Sequence, residues 1–302
     1  MAPNPTVVVA ERVVAEPFAT EAFVARPTVT GDPAGVGHAG SVGAGEGATP
    51  TTGRPAGDHG GIVTDPWFAT TVTVPAARCG PPGMANGGWV CGTVAAHLGS
   101  GPVEVTLHAP TPLDEPLALG ARDDRATLSR DGRLLVEAVR SSVPLRPVEP
   151  VAWEAAAAAS SRFVGHHDHP FPGCFVCGTQ RGAADGLRVF PGRVDGTHGR
   201  FAAVVTPHPA LAGPDGRLSP ATVWAMLDCP TGWANMAPGA VAVLGRLRAE
   251  VRVLPRPGEP LLVVAESVGR DGRKAFGRAS LYDRAGRLLA SSQAVWISPR
   301  PR

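Results

Sequence analysis

The sequence predicts an α+β chain of two similar halves, each a curved antiparallel sheet wrapped around one central helix. Three observations carry this expectation. First, a turn-and-strand signature occurs twice. Pro112-Leu113-Asp114-Glu115-Pro116-Leu117 followed by Asp131-Gly132-Arg133-Leu134-Leu135-Val136 returns as Pro257-Gly258-Glu259-Pro260-Leu261 followed by Ala285-Gly286-Arg287-Leu288-Leu289-Ala290. Second, one helix-like stretch precedes each copy. Third, β-branched segments separated by turn residues follow each helix. A single buried helix followed by strands has to be wrapped by its own sheet, and pairing two such units edge to edge removes exposed edges.

The elements follow in order. Residues 1–61 are rich in Gly, Pro, Ala and Thr, and the stretch Gly31 to Gly61 has little to bury, so the segment reads as disordered, with an edge strand at Val7-Val8-Val9 and Val13-Val14 at most. From Ile62 a first repeat extends to residue 150. Trp67 to Val74 is a strand by its β-branched content, and Pro75 ends it. Gly87 to Leu98 is a helix with small apolar residues on nearly every side, which marks it as buried. Strands are expected at Val103 to His108, Leu117 to Arg122, Arg125 to Ser129 and Arg133 to Val143. Asp123-Asp124 and Asp131-Gly132 turn between them. Residues 151–172 form a linker whose alanine-rich part, Val151 to Phe163, is helical.

A second repeat then occupies residues 173–302. Leu187 to Val194 and Gly199 to Val205 read as a hairpin. Ser219-Pro220 starts the second helix, since Ser caps free amides and Pro fits the first helical position. That helix carries Trp224 and Asp228, and Pro230 with Gly232 should kink or end it. Strands at Val241 to Leu254, Leu261 to Val268, Ala275 to Asp283 and Leu288 to Ile297 complete the copy.

Bulk properties exclude several classes of function. The chain has 302 residues, 43% of them hydrophobic, and a net charge of +2. No basic run interleaved with aromatics is present, so no nucleic-acid partner is expected. No apolar run approaches the roughly 18 residues of a membrane span. Five sparse cysteines do not resemble a secreted disulfide framework. No basic segment leads into an apolar stretch at the N-terminus, so no signal peptide is expected and the expected location is cytoplasmic.

The motifs at the helix starts resemble a known family. Asn86-Gly87-Gly88-Trp89-Val90 resembles the His/Asn-Gly-Gly opening of the hotdog helix. Cys174-Phe175-Val176-Cys177-Gly178 with Asp185-Gly186-Leu187 resembles the Cys-x-x-Cys-Gly…Gly-Leu lead-in of phenylacetate-type hotdog thioesterases. Over residues 62–145 and 170–298 the chain thus resembles the hotdog-fold acyl-CoA thioesterase superfamily, as a tandem (double) hotdog. The resemblance implies that a glycine amide at the helix start polarises a thioester carbonyl. It also implies an Asp or Glu about eight residues along the helix that activates water or attacks directly. Each copy departs from this pattern. Counting on from Gly88, the acid's place is Ala95. Aligning Asp228 with the family acid puts Ser219-Pro220-Ala221 where the glycines would be.

The losses are complementary. Asp228 lies roughly 12 Å along its own helix from Pro220, beyond the reach of a base for a carbonyl held there. If the two helices pack antiparallel, Asp228 faces Gly87 and Gly88 instead, and a gap of roughly 5 to 8 Å would fit a substrate between acid and amide. The opposite pairing would set Pro220, which has no N–H, against Ala95, which has no acid. One composite site is therefore expected, with Asp228, Gly87 and Gly88 catalytic and Asn86, Trp89 and Trp224 in contact with substrate. The substrate would be an acyl-CoA or acyl-carrier-protein thioester, with no metal and no cofactor required. A homodimer of double hotdogs is a compatible assembly.

Other readings stand beside these. Asn86 has the character of an N-cap as well as of a substrate contact. Half-equipped motifs also suit a non-catalytic acyl-binding or regulatory protein. A hydratase would need an Asp-His pair, for which Asp228 and His97 are the candidates. Arg246, Arg248 and Arg252 alternate along a strand as a solvated face or a contact for coenzyme A phosphates. Cys174 and Cys177, with His166, His167 and His169 nearby, invite a zinc reading. With no second Cys pair in the sequence, a tight turn into the second repeat is the simpler expectation.

Overall fold

The computed structural model describes residues 68–197, 199–237 and 239–300. The expected disorder of residues 1–61, the edge strand near Val7 and the position of Trp67 lie outside them. The described residues contain eleven strands and three α-helices. In the first half these are β1 (Phe68–Thr73), α1 (Gly87–Ala95), β2 (Val103–Leu107), β3 (Pro116–Arg122), β4 (Arg125–Arg130) and β5 (Arg133–Arg140). The connecting helix is α2 (Trp153–Ser161). The second half holds β6 (Gly192–Arg193), β7 (Arg200–Val205), α3 (Pro220–Trp233), β8 (Val243–Val251), β9 (Leu261–Asp271), β10 (Lys274–Asp283) and β11 (Leu288–Ile297).

The strands form one sheet in the order β1-β3-β4-β5-β2-β8-β11-β10-β9-β7-β6. Its middle is the seam between the halves. There β2 pairs antiparallel with β8, Val103 opposite Ala249 and Thr106 opposite Arg246. Each half thus loses one open edge to the other, the saving anticipated from the repeat. Alternation orients the faces: Leu247 and Ala249 of β8 are buried while Arg246, Arg248 and Glu250 between them are half-buried. The turns use the residues expected. Asp131 (φ 48°) and Gly132 (φ 75°) both adopt the left-handed conformation that a tight hairpin requires.

The two central helices lie against each other inside the sheet. Every residue of α3 from Ala221 to Trp233 is buried. Their contact depends on α1 glycines. A Cβ on Gly92 would stand 2.6 Å from Ala221 Cα and 2.7 Å from Trp224 Cβ, and one on Gly88 would stand 2.4 Å from Asp228 Cβ. Moving from Gly88 to Gly92 along α1 moves the contact from Asp228 back to Ala221, so the helices run antiparallel. Gly92→Ala is expected to destabilise the protein by about 1–3 kcal/mol, since both neighbours are packed helix atoms. Chemical denaturation would check this; an unchanged midpoint would mean the helices separate freely.

Three expectations need correction. The strand expected at Leu187 to Val194 shrinks to the two residues of β6. Arg188 takes φ 55°, and Leu187 N–H and Val189 N–H donate to the carbonyls of Phe175 and Val176. The stretch is thus committed to the cysteine loop and cannot pair as a strand. Pro230 does not end α3, which continues to Trp233. There the Thr231 hydroxyl donates to the Asp228 carbonyl at 2.7 Å and accepts from Trp296 Nε1–H at 2.8 Å, tying the turn to β11. The α1 stretch changes from α to 3-10 geometry at Ala96–Leu98.

The linker helix has a packing role. Ala156 and Ala159 of α2 join Ala202, Leu262, Val264 and Tyr282 in a second apolar cluster separate from the main core. The preceding chain is fixed by Val148, whose N–H donates to Ser280 Oγ at 2.9 Å and whose carbonyl accepts from the Tyr282 hydroxyl at 2.6 Å.

Candidate active site

The site forms where α1 begins. Asn86 is extended (φ −63°, ψ 127°) and caps the helix: its Oδ1 accepts the Trp89 N–H at 2.9 Å. The loop before it is tied down by Gly80 N–H to the Met84 carbonyl, Ala85 N–H to the Thr111 carbonyl and Asn86 N–H to the Arg78 carbonyl. Capping occupies only one end of the Asn86 amide. Its Nδ2 donates to Asp228 Oδ2 at 3.2 Å. The same oxygen accepts the Gly88 N–H at 2.9 Å. Asn86, Gly88 and Asp228, 140 residues apart in sequence, are therefore in direct contact.

Asp228 is 2% exposed. Burial favours its neutral form most and raises its pKa from 3.8 to about 7. The Gly88 amide opposes this, the nearby Cys174 adds to it, and the Asn86 amide opposes it. The N-terminal end of α1 also favours an anion here. Only Oδ2 is held. Oδ1 is buried with no hydrogen-bond partner among the described residues.

The separation differs from the expected 5 to 8 Å. With no Cβ on Gly88 the helices touch, and the carboxylate itself sits on the amide that had been assigned to a substrate carbonyl. Gly87, half-buried, turns to another side: a Cβ there would meet Leu244 and Leu107. As the first residue of α1, its amide has no acceptor within the helix. Trp224 is 4% exposed and packs where α3 crosses Gly92, so its ring is a helix-contact residue. Trp89 is half-buried and its amide serves the cap.

Other candidates lie elsewhere. His97 is exposed, with Nδ1 3.0 Å from the Thr93 carbonyl. It stands nine residues beyond Gly88, about 13 Å along the helix axis. The hydrogen bonds of the Asp228 carboxylate go instead to Gly88 and Asn86. Arg246 pairs with Glu104 at 3.0 Å, Arg248 with Gln293, and Arg252 with Glu250 at 3.2 Å. The arginine stripe thus carries pairs within the sheet, while Arg248 Nε has no hydrogen-bond partner among the described residues.

A second constellation adjoins the first. Cys174, Cys177 and Cys229 are all buried, and their sulfurs lie within 4.8 Å of one another. Cys174 Sγ and Cys229 Sγ are 3.8 Å apart. The Cys177 and Cys229 thiols and the backbone N–H groups of Cys177 and Val176 all point to the Cys174 sulfur, which holds that thiol well below its usual range. His166 and His167 are exposed, while His169 is half-buried with Nε2 3.3 Å from Cys177 Sγ. The tight turn expected from Cys-x-x-Cys is present, closed by Gly178 N–H to the Cys174 carbonyl at 2.9 Å. Its companion is Cys229, which sequence spacing had no means of pairing with it.

No family model matches this chain, and no curated protein matches it. Solved structures do. A conserved protein of unknown function with a hot dog fold from Alicyclobacillus acidocaldarius superposes with a TM-score of 0.51 at 15% identity, covering 78% of this chain and 94% of that one. A TesB protein of Mycobacterium avium subsp. paratuberculosis gives 0.52 at 14% identity, covering 78% and 93%. A GphF dehydratase variant gives 0.52 at 17% identity, with the same coverage of 78% and 93%. The chain has the hotdog fold, and the solved structures it resembles are mostly thioesterases. No helix among the described residues is long and apolar enough to cross a membrane.

Proposed function

We propose that this chain hydrolyses acyl thioesters, acyl-CoA or acyl-carrier-protein esters, at one composite site between the start of α1 and the middle of α3. The observation that supports this most is the Asp228 carboxylate. It is buried, with Oδ2 fixed by the Gly88 and Asn86 amides and Oδ1 left without a partner.

In this reading Gly88 and Asn86 orient the acid, and Oδ1 takes a proton from the attacking water. Charge developing on the thioester oxygen falls to the Gly87 amide, at the positive end of the α1 dipole. The thiolate of coenzyme A or of a carrier phosphopantetheine is the leaving group. A cavity of about 380 Å³ beside the loop that enters α1, lined in part by Met84, Thr111, Pro112 and Leu135, supports an approach from that side. Asp228 does not line it, and the Met84–Asn86 loop lies between.

That closed state favours one rival, an acyl-binding protein without turnover. Incubating the chain with acyl-CoAs of graded length while following free thiol separates the two. The proposal expects thiol release; saturable binding with no release would replace it by the rival.

A further inference from the structure

We propose that Cys174, Cys177 and Cys229 bind a zinc ion, and that the metal pins the cysteine loop to α3 beside Asp228. Four observations support it, independent of the hydrolase reading. The three thiols converge from two distant segments. Cys174 and Cys177 lie on one loop, and Cys229 lies on α3. The Cys174–Cys229 distance of 3.8 Å equals the sulfur–sulfur edge, about 3.8 Å, of a tetrahedral zinc with bonds of about 2.3 Å.

Second, the loop is a tight turn that brings Cys177 back beside Cys174, and Gly178 N–H closes it onto the Cys174 carbonyl at 2.9 Å. A Cβ on Gly178 would sit 2.3 Å from that carbonyl oxygen, so the turn admits only glycine.

Third, a histidine adjoins the thiols as a hydrogen-bond partner of one of them. His169 Nε2 is 3.3 Å from Cys177 Sγ. In the arrangement described, His169 Nδ1 accepts the Phe171 N–H at 2.9 Å, so Nε2 carries the ring proton and donates it to Cys177. On binding, three thiol protons leave to solvent, and the three thiolates give the zinc site a net charge of −1. Trp233 packs edge-on against His169 at 5.2 Å, an outer layer beside the thiols.

Fourth, the site lies where a pin has a use. The cysteine loop bridges the halves: Phe175 N–H donates to the Cys79 carbonyl, and Phe175 and Val176 carbonyls accept from Leu187 and Val189. Cys229 directly follows Asp228, and Asn86 Nδ2 reaches Cys229 Sγ at 3.8 Å as well as the carboxylate. A metal there would fix the helix turn that presents the acid.

The full chain, purified under reducing conditions without chelator, is expected to carry one zinc per chain by mass spectrometry of the metal. Chelator-stripped protein titrated with Co(II) should develop thiolate-to-cobalt charge-transfer absorption and the visible bands of tetrahedral cobalt, saturating at one equivalent and abolished by Zn(II). Cys229→Ser should lose the spectrum. Cys79→Ser, outside the cluster, should keep it, and His169→Ala should bind cobalt about 10–100-fold more weakly. If Cys229→Ser fails to fold, the wild-type titration decides alone. Five thiols reactive in denaturant with no cobalt spectrum would overturn the site in favour of simple packing, and three reactive thiols would overturn it in favour of a disulfide. Neither result bears on thioester hydrolysis, whose own test is thiol release.

Discussion

Asp228→Asn is expected to lower thioester turnover by about 10²-fold or more while raising stability at alkaline pH. The two effects have one cause. The carboxyl titrates at about 7 in the folded protein against 3.8 when unfolded. The native state therefore holds a proton that the unfolded chain has lost, and stability falls as pH rises from 3.8 through about 7. Above that the full penalty for a buried charge applies, about 4 kcal/mol. Asparagine keeps an oxygen for the Gly88 and Asn86 donors and carries no charge. Its NH₂ would face the unpartnered Oδ1 position, which costs about 1–3 kcal/mol. The difference leaves the variant about 1–3 kcal/mol more stable than wild type at pH 8, and the gain disappears near pH 4. Denaturation at both pH values, alongside turnover, distinguishes the roles. A structural acid would give loss of stability at both. A variant that turns over normally would sink the assignment of Asp228 as the base. In wild-type protein, kcat/KM should rise with pH toward about 7 as the base ionises, and level off above it.

Gly88→Ala is the second large expectation. The new methyl would stand 2.4 Å from Asp228 Cβ, 2.9 Å from the Trp224 carbonyl oxygen and 3.0 Å from Ala225 Cα. Two of these are backbone atoms of a helix buried on all sides, so no flexible side chain can yield. Overpacking costs about 3 kcal/mol, and the better helix propensity of alanine returns about 1 kcal/mol. A net loss of about 2 kcal/mol is expected. Relief comes through separation of the helices, which breaks the 2.9 Å bond between the Gly88 amide and Asp228. Turnover should therefore fall further than the stability loss explains when it is measured well below the melting temperature. Gly92→Ala, a like insertion one turn away from the acid, is the control: equal activity loss in both would show that helix spacing, not the Gly88–Asp228 contact, matters.

Much of this was written in local sequence. The repeat, the Ser219 cap, the Asp131-Gly132 hairpin and the all-round apolar character of Gly87 to Leu98 each report a local preference, and each is seen in the fold. The pairing of Asp228 with Gly88 was legible for a different reason. Each copy of the motif lacks one part, and helix rise excludes any partner within the same helix. What local sequence could not supply was distance. Gly88 and Gly92 gave a clue, since glycines in a buried helix admit a neighbour, but how near α3 comes is a property of the packed core. Contact at 2.9 Å turned an expected gap into a closed site.

The same division applies to the second constellation. Cys174-x-x-Cys177-Gly178 was visible as a turn, because spacing of three residues is a local fact. Cys229 lies 52 residues on from Cys177, in the middle of a helix whose side chains face every direction. Only when α3 is seated against α1 and the cysteine loop does its sulfur arrive beside the other two. Sequence by itself determined most of the elements, their order and the two half-motifs, because periodicity, capping and turn chemistry act over a few residues; the strand expected at Leu187 to Val194 was lost to bonds with the distant cysteine loop. Tertiary structure alone decided which atoms touch: the Asp228–Gly88 bond, the stranding of His97 at the far end of α1, and the convergence of three sulfurs. Those depend on burial and on the closeness that two glycines permit between helices, and neither is encoded in any short stretch of chain.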